Sequence, residues 1–484
     1  MSTSCDLLLV KPNDRKKIYG ALSATLAAVE PPMWALLLAA SIREKKFSVA
    51  VLDMETENLS AEDIAPHVAA LNPRLVVLVV TGNNLSASTW NMVGAGAVLK
   101  KLASTNPLYK TCIWGLHPSA LPERTLNEEQ VDYVIQGEGF STIHDLLRGQ
   151  PLHLIPGLWY RREGKPAFSG SAPLVADLDT LPYPAWDMVR LDKYRAHNWH
   201  CFQDFEHRSP YAVLYTSLGC PNACSFCSLK TLFGKRGVRF RSPENVIGEI
   251  DLLVSRHGVK NIKILDECFV LNEVHVNRLA DLIISRKYDL NMWAYARIDT
   301  VNEALLKKLK AAGLNWVCYG IESGSKKILE GVDKRGWDAD KIRHVVKMTR
   351  DAGICIVANF MLGLPDDDME SMQDTLNLAI ELNCEYTNFY CTMAYPGSDL
   401  YYEALEKNIR LPETWLGYSQ FSAEAFPLPT RHLKAEEVLR FRDYAFATFH
   451  KSPVYLAMIR KKFGPAVESH IMDMLSKPIA RKHV

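Results

Sequence analysis

Residues 219–243 read GCPNACSFCSLKTLFGKRGVRFRSP, and three cysteines, Cys220, Cys224 and Cys227, fall within eight positions. Thiolates are soft ligands that suit zinc or iron–sulfur clusters. A structural zinc closes with four ligands, and this stretch supplies three. His207 lies thirteen residues before Cys220, and Cys268 falls on a separate predicted strand. A [4Fe–4S] cluster held by three thiolates leaves one iron open to a further ligand, which is chemistry rather than scaffolding. The alternative is three thiols that hold nothing. Gly219, Pro221 and Phe226 accompany the triplet at a predicted strand end and argue against it.

From about residue 210 the sequence alternates strand and helix. Six strands are expected, at YAVLYTSLG, NIKILDECF, LNMWAYARID, LNWVCYGIES, ICIVANFMLGLP and YTNFYCTMAYPG, each followed by a helical stretch. Ser242 and Pro243 mark one helix start, as cap and first helical residue. Six sequential parallel units predict a barrel or a partial (β/α)6 barrel over 206–405, with its chemistry at the carboxyl ends of the strands. That places the cysteines, Asp266-Glu267, Arg297, Glu322-Ser323 and Tyr395-Pro396 around one mouth.

The triplet resembles the radical S-adenosylmethionine superfamily, whose motif is C-x3-C-x-aromatic-C. The resemblance covers about 210–400. It implies that Cys220, Cys224 and Cys227 bind a [4Fe–4S] cluster and that the amino and carboxylate groups of S-adenosylmethionine chelate the open iron. One electron, from a donor such as flavodoxin or ferredoxin, then cleaves the sulfonium to a 5′-deoxyadenosyl radical. The segment ARID is similar to the one whose arginine, here Arg297, pairs with the methionine carboxylate. GIESGSKKIL resembles a fourth-strand signature with Glu322 and Ser323 toward the cosubstrate. LDECF resembles the segment that touches its amino group, with Glu267 as candidate. From the residues alone Arg297 has Asp299 as another partner, and Glu322 has the next helix to cap. The basic run Lys230, Lys235, Arg236, Arg239 and Arg241 is either solvated or turned to an anionic substrate.

The first 150 residues also alternate strand and helix, with continuous apolar strands such as LVVLVV. Such strands predict a parallel sheet covered on both faces, and ligands sit beyond its carboxyl edge. The loops there carry Asn13, Gly82, Asn83, Gly115, His117, Ser119, Gly137, Glu138 and Gly139. Residues 151–205 are expected to form a linker with a small hairpin around Glu163-Gly164, and 406–484 a helical, basic-tailed segment. The order of doubly wound (Rossmann-like) domain, linker and barrel resembles cobalamin-binding radical S-adenosylmethionine enzymes. GLHPSALPE and VDYVIQGEGF sit where those enzymes contact cobalamin. The motif D-x-H-x-x-G, whose histidine ligates cobalt elsewhere, does not occur, so the resemblance implies cobalt without histidine ligation. His117 reads as a hydrogen-bonder that orients its loop.

The chain has 484 residues and a net charge of +1, so no global field recruits nucleic acid. Eleven dispersed cysteines and the lack of a signal sequence are expectations for a reducing cytoplasm. The apolar runs fall short of the roughly 20 residues of a membrane span. The resemblance implies an enzyme that methylates an unactivated carbon or phosphorus of a small-molecule or lipid or natural-product intermediate. A radical cyclase or rearranging enzyme has the same cofactors. A cobalamin-binding sensor has no use for the triplet. A methylthiotransferase acting on transfer RNA would need a second cysteine triplet, and the amino-terminal domain, residues 1–150, offers only Cys5 and Cys112.

Overall fold

The computed structural model describes residues 4–13, 15–23, 27–82, 84–105, 108–477 and 479–484. The first sheet is built on β1 (Leu7–Lys11), β2 (Val49–Asp53), β3 (Leu75–Val80), β4 (Lys110–Gly115) and β5 (Tyr133–Ile135), all parallel. The reason is legible in β3, whose six residues are all buried. Leu75, Val77 and Val79 join one core cluster and Val76, Leu78 and Val80 another, so both faces are covered by helices. The predicted hairpin, β6 (Leu158–Arg162) and β7 (Lys165–Phe168), does not hang in a linker. It pairs antiparallel onto β5, giving the order β2-β1-β3-β4-β5-β6-β7.

The second sheet has the six expected parallel strands, β8 (Tyr211–Leu214), β11 (Asn261–Ile264), β12 (Asn291–Ala296), β13 (Leu314–Glu322), β14 (Cys355–Leu362) and β15 (Tyr386–Cys391). Their order follows the chain, β15-β14-β13-β12-β11-β8, as an open barrel requires. The stretch read as one strand, YAVLYTSLG, breaks after Leu214. Its end forms β9 (Ser217–Leu218), which pairs antiparallel with β10 (Arg239–Phe240). This short ribbon closes the base of the excursion that carries the cysteines. Ser242 accepts from Asn245 N at 3.1 Å and starts the helix Pro243–His257, as its sequence predicts.

Linker aromatics fill the amino-terminal end of the barrel. Trp199 packs on Trp293 (4.9 Å) and Trp316 (5.5 Å), and Phe202 on Trp316 (5.9 Å) and Phe463 (5.4 Å). His200 Nε2 donates to Asn291 O at 2.9 Å. The carboxyl-terminal helices Pro453–Phe463 and Pro465–Leu475 close the same end, with Ile459 and Ile471 fully buried. The two sheets are joined by a buried ion pair: Lys263 Nζ of β11 lies 2.9 and 3.1 Å from the Glu30 carboxylate. Among the described residues no helix is long and apolar enough to cross a membrane.

Candidate active site

Cys220, Cys224 and Cys227 lie between β9 and β10 and line one small recess with Asn222, Leu229, Lys230, Phe233, Lys235 and Arg236. They are half-buried, whereas the other eight cysteines are buried. The loop's entry turn demands glycine. Gly219 has φ +96°, and a Cβ there would lie 2.5 Å from Gly237 O. Asp266 sets the turn's direction by accepting from Thr216 N (2.7 Å) and from the hydroxyls of Thr216 and Ser217 (2.5 and 2.6 Å). Burial raises the Cys224 thiol, and it pushes Cys227 up to about 11.

Opposite the loop stands a charged array. Arg297, at the carboxyl end of β12, bonds Asp299 twice at 2.9 Å through Nε and Nη2 and lies over the Trp337 ring at 4.8 Å. The ordinary pairing open to this arginine is therefore made, with one guanidinium edge, and the described bonds do not use Nη1. Glu322 does not cap the next helix. It sits at φ +64° beside a register shift in β13, and its carboxylate is held by buried Lys334. A side chain in that region is strained by of order 1–3 kcal/mol. Ser323 is buried, its hydroxyl 3.2 Å from Thr375 Oγ1. Glu267 Oε2 is buried with no hydrogen-bond partner among the described residues, and burial pushes this carboxyl up to about 8.

The loops of the first sheet meet this mouth. Ser86, in the loop after β3, has its hydroxyl 3.7 Å from Cys227 Sγ and 3.2 Å from Ser228 N. A Cβ at Gly137 would sit 3.9 Å from Leu232 O, and Glu138 forms an ion pair with Arg239 at 2.6 Å while accepting from Val175 N at 2.8 Å. Gly115 has φ +150°, and a Cβ there would sit 2.2 Å from Val80 O, so β4 leaves the sheet through a turn open only to glycine. The expected loop beyond it is a short helix, Leu116–Ala120. There His117 is buried, 3.3 Å from Thr89 Oγ1 and edge-on to Trp415 (4.4 Å), and burial takes its pKa down to about 3. Ser119 Oγ accepts from Gly137 N at 3.2 Å, Gly82 N donates to Ser88 Oγ at 3.0 Å, and Asn13 Nδ2 donates to Leu59 O at 3.1 Å. Asn83 lies outside the described residues.

Two family models match the chain, the radical SAM superfamily over residues 214–379 and the B12 binding domain over 19–147. A relative in Pyrococcus horikoshii, an uncharacterized methyltransferase, is 30% identical over 455 residues, covering 93% of each chain. The chain belongs to the cobalamin-binding radical S-adenosylmethionine enzymes. An anaerobic magnesium-protoporphyrin IX monomethyl ester cyclase of Rubrivivax gelatinosus is 25% identical over 83% of this enzyme and 70% of its own length. The fold is shared with the methyltransferase TsrM of Kitasatospora setae, solved with cobalamin and a [4Fe–4S] cluster. The TM-score is 0.69 at 18% identity, covering 93% of this enzyme and 90% of that chain.

The residues present suit the cofactors of this class. Among the described residues no three His, Cys, Asp or Glu side chains converge as a single metal ion requires. Each thiolate of a four-iron cluster takes its own iron, so thiols spaced around a recess fit that group. The orphaned Glu267 oxygen is an acceptor awaiting a donor, which an ammonium group supplies. The burial of His117 and its contact with Trp415, whose ring also carries the Arg124 guanidinium at 4.4 Å, suit packing rather than cobalt.

The structure redistributes several expected residues. Arg239 and Arg241, read as one basic run, are half-internal and pair with Glu138 and buried Glu249 (2.5 Å). Lys230 pairs with Asp399, and only Lys235 and Arg236 are exposed. Glu138 is therefore engaged at the interface of the two sheets. Ser86, Lys334 and Trp415 were not found from the sequence. Ser86 is one serine in a polar loop, Lys334 lies twelve residues past Glu322, and Trp415 reaches His117 from the segment that carried no readable chemistry. No local spacing links any of them to the cysteines.

Proposed function

We propose that this enzyme methylates an unactivated carbon or phosphorus of a small-molecule or lipid or natural-product intermediate. The observation that carries the proposal is the contact of the two carboxyl-edge loop sets, Ser86 against Cys227 and Ser228, and Glu138 against Arg239. Cobalamin-side and cysteine-side loops face one space, as transfer between the two groups requires. The name of the Pyrococcus relative supports the same reading.

In this proposal Cys220, Cys224 and Cys227 hold the cluster. Arg297 offers its outer edge to the methionine carboxylate, a task for a planar fork. Glu267 accepts from the methionyl ammonium, and Lys334 fixes Glu322 beside it. Ser323 shapes this wall through Thr375. Loaded with a [4Fe–4S] cluster, S-adenosylmethionine and cobalamin, the site supplies a carbon radical and a transferable methyl group. The loops bearing Asn13, Gly82, Gly115, His117, Ser119, Gly137 and Gly139 hold cobalamin with no histidine on cobalt.

Substrate enters the upper barrel. Tyr295, Asn359, Met361, Asn388 and Tyr390 are half-exposed, while their neighbours along β14 and β15 are buried. Asn388 donates to Asn359 at 2.9 Å, and Asn359 donates to Cys318 Sγ at 3.0 Å. These neutral side chains suit an uncharged polar group. Lys235 and Arg236 beside the cysteine recess suit docking of an acidic one-electron carrier such as flavodoxin or ferredoxin.

The test is turnover with S-adenosylmethionine labelled in its methyl group. Label in the product, with S-adenosylhomocysteine and 5′-deoxyadenosine formed in step, is the expected result. Turnover with no label gained selects the second reading, a radical cyclase or rearranging enzyme, which the Rubrivivax relative favours.

A further inference from the structure

The loop after β3 belongs to the cobalamin-side sheet, yet it is fastened to the cysteine loop. Ser228 N donates to Ser86 Oγ (3.2 Å) and Ser228 Oγ to Ser86 O (3.2 Å). Asn84 Oδ1 accepts from Ser86 N at 3.0 Å and holds the turn from below. With one lone pair of its hydroxyl taken by Ser228 N–H, Ser86 has its own hydrogen to give. Two acceptors stand in reach, Cys227 Sγ at 3.7 Å and Ser228 Oγ at 3.2 Å. A thiolate is the stronger acceptor because it is charged.

We propose that Ser86 is a positioning residue whose hydroxyl donates to the Cys227 thiolate, raising the reduction potential of the cluster and tying it to the cobalamin-side loop. Hydrogen bonds to cluster sulfurs stabilise the more negative, reduced state, and so raise its potential. The inference rests on the assignment of Cys227 as a cluster ligand. It makes one-electron reduction depend on where the loop at 84–91 stands, and that loop follows β3 at the carboxyl edge of the other sheet.

The experiment uses the full chain, reconstituted without oxygen, as wild type, Ser86→Ala and Ser86→Thr. Iron content and the cluster's absorption are measured first, then the midpoint by titration followed with electron paramagnetic resonance, without S-adenosylmethionine. Equal cluster content is expected in all three. At the wild-type midpoint, the reduced-to-oxidised ratio is expected to fall several-fold in Ser86→Ala. A tenfold fall is a shift of about 59 mV for one electron. Ser86→Thr keeps the hydroxyl and is expected to titrate as wild type. Equal midpoints in wild type and Ser86→Ala overturn the proposal. So does an equal shift in Ser86→Ala and Ser86→Thr, which marks loop packing as the cause. Absence of a cluster from folded wild type overturns the ligand assignment, and the proposal with it.

Discussion

Arg239→Met tests whether the two sheets are locked face to face. Glu138 lies in the loop after β5, and its side chain is 3% exposed; Arg239 opens β10, and its side chain is 18% exposed. Arg239 also donates to Val175 O at 2.5 Å, and Val175 N donates to Glu138 at 2.8 Å. Methionine fills the arginine stem but leaves the Glu138 carboxylate in the interface with Val175 N–H as its remaining described donor. Breaking a buried pair from one side costs about 3–5 kcal/mol. At roughly 2–4 °C per kcal/mol for domains of 150–250 residues, Tm falls by about 6 °C or more. Glu138→Gln in the same background removes the stranded charge and recovers much of the loss. The assay is a double-mutant cycle on thermal midpoints, with hydrogen exchange at Val175 as the local readout. Shifts that add to within about 0.5 kcal/mol, with Val175 exchange unchanged, would refute the interlocked arrangement.

Alanine at Cys220, Cys224 or Cys227 is expected to abolish the cluster and cleavage of S-adenosylmethionine, whereas alanine at the buried Cys318, Cys355 or Cys384 leaves bound iron unchanged. Arg297→Ala and Arg297→Lys are each expected to weaken S-adenosylmethionine binding by about 1.5–3 kcal/mol, a charge-assisted bond, with iron content unchanged; equal affinities would confine Arg297 to its Asp299 pair. The cob(II)alamin form is expected to show no nitrogen splitting from an axial imidazole, and His117→Ala to leave its spectrum unaltered. His200, which burial takes down to about 3, makes the fold acid-sensitive. The unfolded chain binds this proton below about pH 6.5 and the folded chain does not. Stability is therefore complete above that pH and is lost as pH falls towards 3, by about 1.4 kcal/mol per unit for one proton. His200→Gln is expected to flatten the slope of denaturant midpoint against pH by that amount.

The alternation of apolar strands and helices carried both sheets, because burial on two faces writes itself into runs such as Leu75–Val80. The cysteine loop was legible because its residues are neighbours in the chain. The partners that surround it were not. Glu322 announced neither its left-handed backbone nor Lys334, since the strain depends on the register shift against β14. The basic run looked uniform, yet Arg239 and Arg241 turn inward because Glu138 and Glu249 meet them from other elements. Trp415 covers His117 across some 300 residues, a distance over which no period or spacing carries information. The hairpin at Glu163-Gly164 was recognised as a hairpin, but only the exposed edge of β5 determines where it docks.

The packed floor made by Trp199, Phe202 and the last helices turns the barrel into a cul-de-sac. On the proposed function, substrate and product would not pass through the amino-terminal end, since Trp293, Trp316 and Phe463 pack it shut. A polymer therefore cannot thread through the chamber; it can offer no more than an end or a side branch.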